Sequence, residues 1–439
     1  MKYCFPKTII LILLLLLILD HVPLERSLSH PNIEWQRTYG EEGSEFAYSI
    51  IQTEDNGFAL IGCTIAGAGG NDILLVKTDE NGEVKWDQIF GGYYNEEGYS
   101  VIQTVDKGFA ILGYTGTYGS GVTDMWLIKT DEEGILEWEK TYGGSQSEMG
   151  YTVVQTKNGG FLLSGYSNTY GINVNQIWLV KTNETGEIQW DQMIGSPNGM
   201  YDSKYVFHKG PLLQTPDQGF VIAGITQETH GTSAFNDVLF VKGKKSGRID
   251  FHKTYGTWED DSATSMIQTK DGGFAVAGYI NHVGDNKEAF LLKIDNNGTE
   301  QWFKTYGRSV MDKIYSVIQT NDGGFALAGI TSTSSSKSDP GTEDMWLLRT
   351  DKEGEPLWNQ SFGGDKSDGA YSLIQTSDDC FVLAGYTASY GIWDFWLVKT
   401  ADAPPKSRNT QVLILLGLLV MMLGGIILYL VTNRMIKRK

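Results

Sequence analysis

Short runs in which apolar and polar residues alternate recur along most of the chain, and Gly, Asn or Asp bounds each run. Typical runs are YSLIQT at 371–376, GFALAGIT at 324–331 and DMWLIKTD at 124–131. Their length, alternation and content of β-branched and aromatic residues are typical of β-strands. Residues 30–400 show no convincing 3.6-residue period, which an amphipathic helix would require. The pattern therefore predicts an all-β protein.

The runs belong to a repeat of about 51 residues that occurs seven times. One aromatic residue opens the same run in each copy: Trp35, Trp86, Trp138, Trp190, Phe251, Trp302 and Trp358. Four strand-like runs per repeat at this period predict a seven-bladed β-propeller with four-stranded blades. A linear solenoid is the alternative, but it would expose two hydrophobic end faces, and no polar capping repeat is visible.

The phase of the repeat favours a closed ring. The chain enters the repeat at 33–40 with a run of the fourth type and leaves it at 393–400 with one of the third type. Residues 33–40 are therefore predicted to complete blade 7, which is otherwise built from 371–400. Such a one-plus-three closure leaves no unpaired strand edge between the first and last blades.

Tight turns are predicted between the first and second strands of each blade, where the copies read T-x-(D/N)-x-G. Asp55-Asn56-Gly57 and Asp106-Lys107-Gly108 are examples. The short acid is expected to fold back on backbone amides, and the Gly is expected to adopt the positive φ. The connections after the second and fourth strands are longer and more varied, so binding residues are expected there.

The N-terminus, residues 1–29, is predicted to be a secretory signal. Positive residues precede an apolar stretch at 9–19, and small residues follow at Ser27 and Ser29. The apolar stretch is shorter than a membrane span requires. An uncleaved anchor stays an alternative, because the gap between this stretch and the small residues is long.

A transmembrane helix is predicted at 411–433. Residues 412–431 carry no charge, and at about 1.5 Å per residue they would span about 30 Å. The basic tail at 434–439 is expected to be cytoplasmic. The ectodomain, 30–400, is therefore expected to lie outside the cell, and residues 401–410 form a short Pro-containing tether that keeps it close to the membrane. A buried apolar helix is the alternative interpretation.

Composition excludes several classes of protein. Three Cys are too few for a disulfide-rich scaffold, and 41% hydrophobic residues with 12 Trp do not fit a disordered acidic chain. The formal net charge of −18 has the wrong sign for a nucleic-acid partner. Cys63 and Cys380 fall at opposite ends of equivalent strands, so both are predicted to stay free thiols.

The blocks WxKTYGG, YSVIQTxDGGFxLAGYT and DxWLVKTDxxG resemble a repeat family of archaeal and bacterial cell-surface proteins. The resemblance covers about 35–400 and is weakest in blade 4. Members look like secreted or anchored β-propellers, mostly without an assigned activity. Residues 129–138 are also similar to the tryptophan-docking repeat of pyrroloquinoline-quinone dehydrogenases. Such an enzyme would be expected to carry adjacent cysteines, which this chain lacks.

An acidic residue recurs three positions before the inner-strand Tyr or its equivalent: Glu45, Glu96, Glu148, Asp261, Asp312 and Asp368. Blade 4 has Phe207 at this position. One interpretation is a ring of carboxylates at the channel mouth that binds a cation such as Ca²⁺ or a cationic ligand, because clustered like charges need a neutralising partner. The other is that each acid caps its own loop or accepts backbone N–H bonds.

Two further sets of candidate binding residues lie on the long loops. Each loop aromatic precedes a Gly: Tyr118, Tyr170, His230 and Tyr390. Such rings either stack on sugars or fold their own loops down. Blade 4 departs most from the repeat, and its loop supplies the other candidates: Tyr201, Asp202, Lys204, Tyr205 and His208. Drift after duplication explains that loop equally well.

Other recurring residues are predicted to be structural. A Gln recurs in every inner strand and is expected to bond backbone between neighbouring blades, and a Lys or Arg recurs in every third strand and is expected to pair or pack. Three glycosylation sequons, at Asn183, Asn297 and Asn359, lie near the opposite face or the outer strand.

The sequence therefore favours a single-pass, surface-anchored propeller that binds a glycan, a divalent cation or another surface protein on its long-loop face. The alternative is an extracellular polysaccharide hydrolase or lyase that uses the recurring acids. A purely structural envelope component is the third interpretation.

Overall fold

The computed structural model describes residues 32–401, apart from gaps at 41–42, 66–68, 170–175, 195–209, 231–232, 283–285, 308–309, 333–341 and 392. The described residues form 28 β-strands in seven four-stranded antiparallel sheets. They contain no helix of the length and apolarity that crossing a membrane requires. The predicted signal segment and transmembrane helix lie outside the described residues.

The strands of the first three blades follow one another in chain order after a single leading strand, β1 (Ile33–Tyr39). Blade 1 contains β2 (Phe46–Gln52), β3 (Phe58–Thr64), β4 (Asp72–Thr78) and β5 (Val84–Phe90). Blade 2 contains β6 (Glu96–Gln103), β7 (Phe109–Thr115), β8 (Asp124–Thr130) and β9 (Leu136–Tyr142). Blade 3 contains β10 (Glu148–Gln155), β11 (Phe161–Ser167), β12 (Gln176–Thr182) and β13 (Ile188–Ile194).

The remaining blades repeat the same order. Blade 4 contains β14 (Leu212–Gln214), β15 (Phe220–His230), β16 (Ser233–Gly243) and β17 (Ile249–Tyr255). Blade 5 contains β18 (Asp260–Gln268), β19 (Phe274–Asn281), β20 (Lys287–Ile294) and β21 (Glu300–Tyr306). Blade 6 contains β22 (Asp312–Gln319), β23 (Phe325–Ser332), β24 (Glu343–Thr350) and β25 (Pro356–Phe362). Blade 7 contains β26 (Asp368–Gln375), β27 (Phe381–Thr387) and β28 (Asp394–Thr400), and β1 completes it.

The ring closes as the sequence predicts. β1 pairs antiparallel with β28, with Ile33 opposite Thr400 and Tyr39 opposite Phe395. β1 also contacts blade 1: the ring of Trp35 lies 6.0 Å from that of Phe58. The seven-bladed, one-plus-three architecture is thus confirmed. β1 completes blade 7 and also packs against blade 1, so it joins these two blades.

The core lies between the blades. Every residue of β3 and of β7 is buried, because a neighbouring sheet covers each face of a middle strand. The clusters of buried residues cross blade boundaries, and one joins Leu162 and Leu179 of blade 3 to Phe220 and Ile222 of blade 4. Each blade is therefore stabilised by burial of apolar surface against the next one.

A β-bulge interrupts most inner strands at the residue that the repeat keeps as Tyr. In blade 2 the pairing register shifts between Gly98 and Ser100, which leaves Tyr99 as the extra residue. Tyr rings of consecutive inner strands then contact one another at 5.1 to 5.4 Å: Tyr315, Tyr371, Tyr48, Tyr99 and Tyr151. These five side chains form a tyrosine arc that runs from blade 6 through blades 7, 1 and 2 to blade 3.

The tight turns correct one detail of the sequence analysis. The positive φ falls on the residue before the recurring Gly, at Asn56 (64°) and Lys107 (71°), and not on that Gly itself. The recurring Gly is required for space, because an added Cβ at Gly57 would lie 2.1 Å from the carbonyl oxygen of Thr78.

Gly108→Ala is therefore expected to lower the free energy of unfolding by about 2–3 kcal/mol, since the added methyl meets the Thr130 carbonyl oxygen at 2.0 Å. Lys107→Gly is the matched control. It is expected to leave stability unchanged or slightly raised, because Gly tolerates the left-handed backbone that costs other residues about 1–2 kcal/mol. Urea unfolding of the two variants measures both effects, and equal midpoints would contradict the packing argument.

Candidate functional site

The connections after the second and fourth strands of each blade share one face, because neighbouring strands within a blade run antiparallel. We call this the long-loop face. The opposite side, with the connections after the first and third strands, is the tight-turn face. The recurring acids and the two described loop aromatics, Tyr118 and Tyr390, belong to the long-loop face, as the sequence predicts.

The six recurring acids are all buried, with 0 to 2% of each residue exposed. Glu96 accepts hydrogen bonds from the backbone N–H of Gly92 (2.9 Å) and of Thr117 (3.0 Å) and from Thr115 Oγ1 (3.0 Å). Glu148 has the same set of bonds in blade 3, from Gly144, Ser167 and Thr169. Each of these acids ties together the two long loops that meet at its blade.

The other four acids make related contacts. Asp261 accepts from the Thr257 N–H at 2.6 Å, and Asp312 accepts from Thr331 Oγ1 at 2.6 Å. Asp368 accepts from the Gly364 N–H and from Ser389 Oγ, and Glu45 accepts from Thr64 Oγ1. The side chains thus lie beneath the loops instead of on an exposed rim, which is the arrangement of the loop-capping interpretation. Phe207 lies outside the described residues.

A second set of acids, which the sequence analysis missed, lies against the first across the blade boundaries: Asp72, Asp124, Asp237, Asp344 and Asp394. In the boundary between blades 1 and 2, the Glu96 N–H donates to the carbonyl oxygen of Asn71, next to Asp72. An added Cβ at Gly143 would lie 1.9 Å from Asp124 Oδ1 and 2.6 Å from Glu148 Oε2. The two carboxylates of a pair therefore occupy one small buried space.

The sequence carries a signal for these pairs. The second acid recurs at the start of the DxWLVKT block, and blade 3 has Gln176 there. Blade 4, the next blade, has Phe207 in place of the first acid. Both partners of a pair are thus lost at the same boundary.

Burial changes the protonation of these pairs. It raises the pKa of Asp72 to about 6, and the carboxylate of Glu96 adds to the rise. It likewise raises the pKa of Asp344 to about 6 and that of Asp261 to about 7, where Asp237 contributes. One acid of such a pair therefore carries a proton at mildly acidic pH. Among the described residues, no group of three or more His, Cys, Asp or Glu side chains is placed to hold a metal ion.

Two of the predicted loop aromatics are placed by the structure. Tyr118 is 42% exposed and donates its hydroxyl to the Gly91 carbonyl oxygen at 3.0 Å, and Tyr390 is 49% exposed and donates to that of Gly363 at 3.2 Å. Each phenol fastens a loop and still leaves ring surface open to solvent. Tyr170, the side chain of His230 and the blade-4 loop candidates lie outside the described part: Tyr201, Asp202, Lys204, Tyr205 and His208.

Four more aromatic side chains are exposed on the same face, at Tyr93, Tyr94, Trp258 and Trp393. With Tyr118 and Tyr390 they are all the exposed Tyr, Trp and Phe residues of the described chain, and every one lies on the long-loop face. The exposed large apolar residues elsewhere in the described chain are aliphatic, such as Val84, Ile135 and Ile188. The repeat pattern does not mark these four residues, because they occur in single copies outside the recurring positions.

A pocket of about 300 Å³ opens on the long-loop face between blades 6 and 7. Trp393, Asp365, Lys366, Ser367 and Thr342 line it. Hydrogen bonds join two of its loops, from the Ala388 N–H to Ser367 O at 2.9 Å and from the Lys366 N–H to Ser389 Oγ at 3.0 Å.

The tight-turn face carries the residues that were predicted to be structural. Lys77 pairs with Asp55 at 2.9 Å, and equivalent ion pairs recur around the ring. The Glu54 N–H donates to Gln103 Oε1 of the next blade at 2.9 Å, which confirms the role predicted for the recurring Gln. Cys63 and Cys380 are both buried free thiols, as predicted. Of the sequons, Asn297 and Asn359 are exposed and Asn183 is half-buried.

No protein-family model matches the sequence, and a comparison with curated proteins finds no match either. Among solved structures, the chain is similar to a protein of unknown function from Dyadobacter fermentans, at 12% identity and a TM-score of 0.47, over 84% of this chain and 99% of that one. It is also similar to YCF48 bound to D1 peptide, at 12% identity and a TM-score of 0.46, over 86% and 99%. The quinohemoprotein alcohol dehydrogenase of Comamonas testosteroni is similar at 9% identity and a TM-score of 0.49, over 86% and 77%. These likenesses carry no argument about function.

Proposed function

We propose that the chain is a surface-anchored binding module that takes its ligand on the long-loop face. The observation that carries the proposal is the placement of all six exposed Tyr and Trp side chains of the described chain on that face. Tyr and Trp offer large contact area at low conformational cost and are enriched at binding surfaces. A purely structural ring gives no reason for such one-sided exposure.

The positions of the chain ends support an orientation in which the long-loop face is accessible to a partner. Ile33 at the start of β1 lies opposite Thr400 at the end of β28, and the Ala401 N–H donates to the Asn32 carbonyl oxygen at 2.6 Å. Both ends therefore leave the ring from the tight-turn face. With residues 411–433 as the proposed membrane anchor, the long-loop face is directed away from the membrane, where a partner reaches it.

The contacts of the recurring acids favour a glycan or a surface protein over the other candidates. A divalent cation needs open oxygen ligands, but the carboxylates of Glu96 and Glu148 already accept bonds from their own loops. A polysaccharide hydrolase needs carboxylates within reach of the scissile bond, and the six recurring acids are buried.

Binding to isolated cell-envelope fragments tests the proposal. The triple variant Tyr93→Ser, Tyr94→Ser and Trp258→Ser of the full chain, in a detergent without sugar headgroups, is expected to co-sediment at least 10-fold more weakly than the wild type.

The control replaces exposed residues at the tight-turn ends of the outer strands, as Val84→Ser, Ile135→Ser and Ile188→Ser, and should bind like the wild type. Thermal melting shows that both variants remain folded. Equal binding by the two triple variants would refute a ligand site built on the aromatic face.

A further inference from the structure

We infer that the pocket between blades 6 and 7 binds a single pyranose ring of a glycan, stacked on Trp393. The inference rests on the proposed function and names the ligand class for one site on the long-loop face. Three features support the inference: the volume of the pocket, the surroundings of the Trp393 ring and the polar residues beside it.

The indole ring of Trp393 packs against two neighbouring aromatic rings and leaves part of its surface exposed. Its centroid lies 5.8 Å from that of Phe46 and 5.5 Å from that of Tyr386, and the residue is 38% exposed. A flat aromatic face that cannot retreat into the protein is a platform for the C–H groups on one face of a sugar ring.

The rest of the pocket is polar. Asp365, Lys366, Ser367 and Thr342 line it together with the indole. A hexose presents several hydroxyl groups that each donate and accept, and this set of side chains contains both donors and acceptors. The volume of about 300 Å³ is at the lower end for small-molecule sites, so it fits one ring better than a long ligand.

The backbone of Trp393 is held in a conformation that such a residue rarely adopts. Its φ is 64°, in the left-handed region that is uncommon for bulky side chains. Its carbonyl oxygen accepts a hydrogen bond from the Glu45 N–H at 2.5 Å, which fixes the segment from blade 1. Strained backbone of this kind concentrates at ligand sites, where it keeps a side chain in its binding orientation.

The chemistry of the pocket fits other occupants less well. A cation would meet the carboxylate of Asp365 only beside the ammonium-bearing Lys366. A protein side chain that anchors an interface fills a well-packed apolar pocket, whereas only Trp393 and Ala388 contribute apolar side chains here.

A glycan array of defined oligosaccharides, probed with the full chain in a detergent without sugar headgroups, tests the inference. The wild type is expected to bind a subset of the array, and Trp393→Ala is expected to weaken that binding at least 10-fold. Trp393→Tyr should retain part of it, because a ring face remains. Ile135→Ala, which removes an exposed apolar side chain from the tight-turn face, should leave array binding unchanged.

Treatment of the envelope fragments separates this inference from the proposed function. Periodate, which cleaves the vicinal diols of sugars, is expected to abolish wild-type binding, and protease treatment is expected to leave it. Binding that protease removes and periodate spares would overturn the glycan while leaving a binding module. The glycan is also overturned if the wild type binds nothing on the array, or if Trp393→Ala binds it as the wild type does.

Discussion

A chain that lacks residues 33–39 is expected to lose its cooperative unfolding transition and to aggregate. Those residues form β1, which supplies the outer strand of blade 7 and contacts blade 1. The deletion exposes the edge of β28 and removes the Tyr39 hydroxyl bond to the Gly82 carbonyl oxygen, at 2.7 Å. It also removes the half-buried Trp35 ring, which packs against the buried Phe58 of blade 1.

Complementation in trans makes the test specific. A synthetic peptide of residues 32–40 in excess is expected to restore a cooperative melt and to suppress aggregation of the shortened chain. A control peptide of the same length, with Trp35 and Tyr39 replaced by Ala, should not restore it. A shortened chain that melts as the wild type does would show that the ring does not depend on this closure.

The ring was predictable because its evidence is repeated seven times. The anchor at Trp35 and its equivalents, the strand runs and the phase of the two ends all constrain the same architecture, and interblade packing preserves them. The equivalent contacts of Trp86 with Phe109 and of Trp302 with Phe325, at 5.7 and 5.9 Å, show why each copy keeps its aromatic anchor.

The surroundings of individual residues were harder to predict. The bulge at Tyr99 breaks the two-residue period, so alternation along an inner strand does not tell which side chains reach the channel. The loop that follows the outer strand then folds over Glu96, whose burial depends on contacts with residues about 20 positions away, such as Thr117. A repeat pattern shows that the acid matters but not what it contacts.

The exposed aromatic surface is the part of the molecule that the repeat pattern does not reveal. Trp258 and Trp393 occur once each, in loops that differ from blade to blade, and the structure is needed to show that they share a face. Residues that recur in every blade, such as Lys77 and its equivalents, proved to form ion pairs with the turn acids of their own blades. In this fold, candidate ligand contacts are therefore better sought among the departures from the repeat.

The stability of the ring is expected to rise as the pH falls from about 8 to about 5. The pKa values of Asp72 and Asp344, raised to about 6, and of Asp261, raised to about 7, lie above the unfolded value of about 3.9. A raised pKa contributes stability that is fully present below the unfolded value and is lost as the pH rises through the folded value. The paired acids thus stabilise the fold in acid.

The acids of the tight turns, such as Asp271, set the lower limit of the pH range in which the protein is most stable. Hydrogen bonds from Thr269 and Lys293 outweigh the effect of burial and lower the pKa of Asp271 to about 2. A lowered pKa contributes stability that is present above the unfolded value and is lost as the pH falls through the folded value. Unfolding free energy should therefore be greatest near pH 4–5 and should decrease on both sides.

Asp261→Asn is expected to raise the free energy of unfolding by about 2 kcal/mol at pH 8 and to have little effect at pH 5. The change removes a carboxyl group that is ionised at pH 8, although burial raises its pKa to about 7. An added Cβ at Gly256 would meet Asp237 Oδ1 at 2.2 Å and Asp261 Oδ2 at 2.9 Å, so the introduced amide lies where it can donate to Asp237. It replaces the ionisable proton of the acid with a permanent N–H donor.

Asp271→Asn in the same blade is the matched control with the opposite sign. It breaks the ion pair with Lys293, whose atoms lie 3.0 Å apart, so it should destabilise the protein at pH 8 and lose its effect toward pH 2. Urea unfolding of both variants from pH 3 to pH 8 measures the two profiles. If Asp261→Asn lowers the free energy of unfolding at pH 8, the carboxylate of Asp261 is stable as an anion. The acid pairs at the blade boundaries then do not retain a proton.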